Sequence, residues 1–204
     1  MSGADIRPAA TVILWRAGAD GPEVLMGQRG AAAAFMPSKY VFPGGAVDPG
    51  DLAVGVTGLL CDRCVRRLQS LTGLDAPSPD ALARAALREM AEETGLSLQD
   101  PAVAAPLRFI FRAITPPGRS RRFDARFFLV DAAAVNGDLD DFARASGELS
   151  HLHWIGLAPA RALDLPFITE VVLAEVAALL RGTDQPGVPF FDNSTDVPTF
   201  RRIT

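Results

Sequence analysis

Residues 86–98 read ALREMAEETGLSL, and this stretch decides how the rest of the chain is understood. At about 100° per residue on a helical wheel, Glu89, Glu92 and Glu93 fall within about 100° of one another and form one carboxylate face. Ala83, Leu87, Met90, Ala91 and Thr94 gather on the other side, so a helix here can bury an apolar stripe while its acids turn outward. Both ends are marked. Ser78 suits an N-cap, with Pro79 in the first turn and Asp80 favourably placed against the helix dipole, and Gly95 followed by Leu96 reads as a glycine C-cap. Like charges one turn apart repel by a few tenths of a kcal/mol per pair, so arginines or a metal ion must offset them. Arg84 and Arg88 flank the acids and offer a solvated, salt-bridged face. From the glutamates alone that reading leads.

Composition narrows the partners. The 204 residues suit a single domain with a core of ordinary size. With 49% hydrophobic and 22% charged residues and a net charge of −4, the chain reads as a soluble globular protein. No basic block beyond RSRR at 119–122 favours a nucleic acid. The start, MSGADIRPAATVILW, lacks a basic region leading into a long apolar run, so no signal peptide is expected. The most apolar helix candidate, 166–182, is interrupted by Glu170 and Glu175 and is too short to span a bilayer. A cytoplasmic protein without membrane contact is expected. Cys61 and Cys64 form a lone C-x-x-C, which makes no disulfide framework.

Along the chain, AATVILWR (9–16) and EVLMGQR (23–29) read as strands joined by a turn, and KYVFPGG (39–45) as a short strand running into a glycine turn. Segment 52–78 has a weak helical period over 59–71 and looks inserted. The glutamate helix follows at about 79–94. PLRFIFRAITP and RRFDARFFLVD make two more strands linked by PGRS. After a loop at 132–149 come a short strand, SHLHWIG, a helix over 166–181 and an irregular tail, 183–204. Strands, helix, strands, helix in this order suggest an α/β or α+β arrangement, a mixed sheet flanked by helices.

FPGG at 42–45 upstream of REMAEETGL resembles the signature of the Nudix hydrolases, G-x5-E-x7-R-E-U-x-E-E-x-G-U with U aliphatic. Arg88, Glu89, Met90, Glu92, Glu93, Gly95 and Leu96 fit its second half at every defined position. The first half departs. Counting on from Gly45 reaches Asp51 and counting back from Arg88 reaches Asp80, so aspartate replaces glutamate from either side. Residues 52–87, 36 in all, stand where the family has seven, an interruption of about 29. The chain is similar in this to the branch that includes peroxisomal acyl-coenzyme A diphosphatase, and ITPPGRSRRFDARFFLV resembles a strand of that branch.

The resemblance implies a Nudix α/β/α sandwich, with a mixed sheet between helices and a helical insertion over 52–78. It implies Mg²⁺-dependent hydrolysis of a diphosphate bond in a nucleoside diphosphate derivative, coenzyme A or acyl-coenzyme A leading, ADP-ribose or a dinucleotide following, and a non-catalytic nucleotide sensor as the rival. Pyrophosphate hydrolysis needs its repelling oxygens neutralised, and Mg²⁺ takes hard oxygen ligands, so carboxylates one helical turn apart suit it. Glu92 and Glu93 are the first ligands. Glu89 is a further ligand or the base, a carbonyl of Gly44 or Gly45 completes the site, Arg88 orients the glutamates, and Mn²⁺ is a possible substitute. Glu148 is an extra ligand or base, or merely an exposed acid. Arg29, Arg121 and Arg122 are the candidate substrate residues, since guanidinium binds phosphate bidentately, although Arg121 and Arg122 could instead pair with Asp124. Arg29 and Gly30 begin a motif found in bacterial coenzyme A pyrophosphatases, which Ala34 and Ser38 leave incomplete. A zinc site of Cys61, Cys64, His151 and His153 is a weaker candidate. The tail could mediate a homodimer.

Overall fold

Strand β1 (Ile6–Gly18) organises the molecule. Its even residues Ala10, Val12 and Leu14 are buried on one face and Ile13 on the other, so it needs cover on both sides. The structure, a computed structural model, describes residues 5–52, 58–73, 76–98 and 105–204. Parts of the expected insertion, 53–57 and 74–75, lie outside them.

The other elements are β2 (Gly21–Arg29), β3 (Tyr40–Val41), β4 (Gly44–Ala46), a 3-10 turn (Pro49–Leu52), α1 (Asp62–Gln69), α2 (Pro79–Thr94), β5 (Ser97–Leu98), β6 (Arg108–Ile114), β7 (Arg122–Asp131) and β8 (Val135–Asn136). A 3-10 turn (Ala132–Ala134) precedes β8; then follow β9 (Leu149–Gly156), α3 (Leu157–Ala160), α4 (Phe167–Leu180), β10 (Val188–Asp192) and β11 (Thr199–Ile203). Nine strands form one mixed sheet in the order β11-β10-β6-β7-β1-β2-β3, with β4 on β1 and β9 on β2. The β1–β7 and β10–β6 pairs are parallel and the rest antiparallel.

Two apolar layers enclose this sheet. Leu82, Ala86 and Met90 of α2, with Cys64 and Leu68 of α1, pack on Val12, Leu14, Phe109 and Phe128. Val172, Leu173 and Val176 of α4 pack on Ile13, Met26, Phe111 and Phe127 on the opposite face. The α/β sandwich is therefore as expected, with the glutamate helix on one side and the later helix on the other. α1 is the helical part of the described insertion. The tail differs from expectation, because 183–204 is not irregular: it supplies β10 and β11 at the sheet's edge.

One departure from a plain sheet positions the site. β1 and β2 pair only near their turn, Trp15–Gly18 against Gly21–Val24, and then part. Into the fork goes the FPGG segment, β4 pairing with Ala9–Thr11 of β1 and β3 with Gly27–Gln28 of β2. At the apex Val12 donates its N–H to the carbonyl of Pro43 at 2.9 Å, so the glycine turn is held by the sheet itself.

Candidate active site

α2 delivers its acids to that turn. Ser78 caps it, its hydroxyl accepting from the Ala81 N–H at 3.2 Å, and Gly95 closes it in the left-handed conformation at φ 76° with its N–H on Ala91. The acids do not all face water, as the helical wheel had suggested. Glu93 is only 2% exposed, its Oε2 accepting the Gly44 N–H at 2.7 Å, while Ala91, assigned to the apolar stripe, is exposed. The reason is the fork: the glycine turn stands where solvent would otherwise be. Gly45 is equally tight, since a Cβ there would lie 2.3 Å from Glu89 Oε1.

Arg88 organises the remaining charges. Its Nη1 donates to Glu89 at 2.8 Å and to Glu92 at 3.0 Å, and its Nη2 to the Ala46 carbonyl and to Asp51, both at 2.9 Å. Its Nε completes a two-pronged grip on Asp51 at 3.1 Å. Asp51 is buried, and although burial alone would raise its carboxyl, hydrogen bonds from Arg88 and the Asp48 N–H hold it below the usual carboxylate range. Of the two aspartates that replace the first glutamate of the box, Asp51 therefore joins the site and Asp80 stays in the first turn of α2.

Burial pushes Glu93 up to about 7, with Glu89 and Glu148 adding to the effect and the Gly44 N–H and Arg29 pulling against it. Glu89 is raised by burial too, against its bond to Arg88. Desolvated acids crowded with other acids are short of positive charge. Among the described residues no three acid, histidine or cysteine side chains converge as a ready cation cage. Mg²⁺, however, keeps several waters and uses one or two protein carboxylates with substrate phosphates. Hard, charge-deficient oxygens beside a turn with no room for a Cβ fit such an ion.

A cavity of about 780 Å³ opens beside this turn, on the α4 face of the sheet. Gly44, Gly45 and Arg29 line it, as do Phe35, Phe123, Phe127 and Phe167. Its cations besides Arg29 are Lys39, paired with Asp164, and Arg119, neither of which the sequence singled out. Arg122 is not among them. It is 8% exposed and donates to the carbonyls of Thr115 at 3.0 Å and Asn193 at 2.7 Å, tying β7 to the tail. Arg121 is exposed, and Asp124 pairs with Arg112 and Arg126 in place of either. Glu148 is exposed in the loop before β9, near enough for its charge to act on Glu89 and Glu93. The zinc candidates are apart. Cys64 packs under Phe109 of β6, whereas the histidines are on β9, four strand spacings away or roughly 19 Å.

Comparison with known proteins agrees with this geometry. The Nudix hydrolase from Alicyclobacillus acidocaldarius is 27% identical, with 89% of this chain and 98% of that one aligned at a TM-score of 0.60. The NUDIX domain of Shewanella oneidensis NrtR, solved in complex with ADP ribose, aligns over 86% of this chain and 89% of its own at 15% identity and a TM-score of 0.50, a likeness of fold. No family model and no curated protein matches the sequence. The fold is that of the Nudix hydrolases. The likeness to the Alicyclobacillus acidocaldarius enzyme supports placing the chain in the Nudix superfamily and reading it as a pyrophosphohydrolase. Among the described residues, no helix is long and apolar enough to cross a membrane.

Proposed function

We propose that the chain hydrolyses a diphosphate bond in a nucleoside diphosphate derivative in a Mg²⁺-dependent reaction, with coenzyme A or an acyl-coenzyme A as the leading substrate. The observation that carries this reading is the meeting of Glu89 and Glu93 with the Gly44–Gly45 backbone at the edge of the cavity. Glu92, Glu93 and a carbonyl of Gly44 or Gly45 would hold the ion, with Mn²⁺ as a substitute. When bound, the ion neutralises diphosphate oxygens and makes a water more acidic.

The chain's own residues do the rest. Arg88 fixes the rotamers of Glu89 and Glu92, and the Gly44 N–H fixes that of Glu93, so the acids are positioned before substrate arrives. Glu89, its basicity increased by burial, takes the proton of the attacking water, and Glu148 is the second acid within reach of that role. Arg29, Arg119 and Lys39 counter phosphate charge, and the phenylalanines of the cavity offer an apolar surface to the rest of the substrate. This last feature favours a substrate with an apolar arm, as an acyl-coenzyme A has. A cytoplasmic setting belongs to the same proposal.

Incubating the protein and Mg²⁺ with coenzyme A, acyl-coenzyme A, ADP-ribose, dinucleotides and nucleoside triphosphates tests the reading. Coenzyme A should yield 3′,5′-ADP and a phosphopantetheine, with ¹⁸O from water in one product only. Glu93→Gln should lower turnover about a hundredfold, equivalent to about 2.7 kcal/mol of barrier, without unfolding the protein. Cleavage of ADP-ribose with coenzyme A untouched would keep the reaction and replace the substrate. Tight nucleotide binding without any product would make the protein a sensor.

A further inference from the structure

A second concentration of positive charge lies on the inserted helix. Arg63, Arg66 and Arg67 of α1 are spaced three and four apart, so they share a side of the helix, and all three line a cleft of about 300 Å³. Arg63 and Arg66 are exposed. Arg67 is not: it is 8% exposed and held by its Nη2 on the carbonyls of Gln185 at 3.2 Å and Pro186 at 2.8 Å. These carbonyls fix the guanidinium but do not neutralise it. Arg108, the first residue of β6, is close enough for its charge to act on Arg67, and the acid lining the cleft is Asp184. Among the described residues, none of these four arginines forms an ion pair. A buried guanidinium facing other guanidiniums is costly unless an anion joins them.

We propose that this cleft is a second anion site, which takes a ligand carrying several phosphate charges. Guanidinium groups bind phosphate oxygens in pairs, and three of them lining the cleft beside Asp184, with Arg108 close enough to add its charge, call for more than a single negative charge. The site is separate from the diphosphate cavity. Ile114, at the far end of β6, lines that cavity, and the six steps from Arg108 to Ile114 span roughly 20 Å at about 3.4 Å each. Pro186 and Thr204 border the cleft at the near end, where the parallel β10 begins and β11 finishes.

Calorimetric titration with inorganic tripolyphosphate in EDTA tests the proposal, because the acids around Glu93 repel a polyanion when no cation is present. The intact protein should bind one equivalent, more weakly as salt is raised. Arg63→Ala with Arg66→Ala should weaken binding at least about tenfold while leaving the melting temperature and Mg²⁺-dependent turnover unchanged, and Arg66→Gln alone should give an intermediate loss. Arg29→Ala should not alter it. Absence of binding at millimolar concentration, undiminished binding by the double variant, or loss of binding in Arg29→Ala would each overturn the assignment. This test reads binding without turnover, so its outcome is independent of the substrate assigned to the cavity.

Discussion

Gly45 and Gly44 are adjacent, yet adding a methyl group to each should have different consequences. At Gly45 the new Cβ would meet the carboxylate of Glu89, the free end of a side chain that can swing aside. Gly45→Ala should therefore leave the melting temperature nearly unchanged while turnover falls at least about tenfold, because an acid displaced by about 1 Å no longer meets its target. At Gly44 the Cβ would lie 2.6 Å from the Ala10 carbonyl and 2.7 Å from the Thr11 Cα, backbone that cannot yield. Gly44→Ala should cost about 1–3 kcal/mol in urea denaturation. The reverse pattern, an unstable Gly45→Ala and an inert Gly44→Ala, would show that the turn is not held as described. At this scale the sequence revealed what is local. Arg88, Glu89, Glu92 and Glu93 lie within one six-residue stretch of a helix, and their spacing alone gathers them. The choice between Asp51 and Asp80 depended on where the interruption enters the box, which spacing cannot decide. The role of Arg122 was not legible because two of its partners, Asn193 and Ser194, are some 70 residues away in the tail, while Arg119 and Lys39 reach the cavity from loops that carry no periodic signal.

Elements with an alternating pattern or a capped helix were legible; the last two strands were not. VPFFD has proline inside the strand and is buried at Val188, Pro189, Phe190 and Asp192, so no alternation announces it. TFRRI lies at the open edge with four of its five residues exposed. What secures them is side-chain chemistry across strands. Arg112 of β6 stacks on Phe190 at 4.3 Å, and Asp192 accepts hydrogen bonds from the Ser194 N–H and from Arg201. Burial would raise the Asp192 carboxyl, but these bonds outweigh it and hold the group below its ordinary range. A carboxyl so depressed stabilises the fold above the unfolded-chain value of about 4, and this contribution disappears as pH falls through the folded value. Asp192→Asn should consequently cost about 1 kcal/mol at pH 7, and steadily less as the pH is lowered below about 4. Urea denaturation at several pH values reads this directly, and a cost that stays constant through the acid range would mean that the carboxylate's charge plays no part in holding the tail.

The whole molecule depends on a buried ionic cluster at the centre of the sheet, and this cluster joins parts that the sequence presents as unrelated. The Asp124 carboxylate of β7 accepts both prongs of Arg112 at 2.8 Å and is ion-paired with Arg126 at 2.9 Å, whose Nη1 donates to the Asp124 main-chain carbonyl at 2.8 Å. Arg126 is 1% exposed, and burial lowers its guanidinium to about 10 despite the neighbouring carboxylate. Arg112 also donates to the Leu71 carbonyl in the insertion at 2.8 Å and stacks on Phe190 of the tail. One aspartate thus fixes an arginine that fastens the insertion and the last strands to the central β6–β7 pair. The two apolar layers could be anticipated from strand and helix patterns, but this fastening could not, since it unites residues near 71, 112, 124 and 190. Asp124→Asn preserves shape and removes the only negative charge paired with either arginine among the described residues, leaving two guanidiniums buried side by side. Breaking a buried pair from one partner costs about 3–5 kcal/mol, because the remaining charge stays desolvated without compensation. We therefore expect a loss of that size in urea denaturation, accompanied by faster proteolysis within both the insertion and the tail. Replacing Arg126 with methionine in the Asp124→Asn background removes one stranded charge and should recover part of the lost stability. A loss below about 1 kcal/mol in the single variant, or no recovery in the double, would show that the cluster is not what binds the insertion and the tail to the sheet.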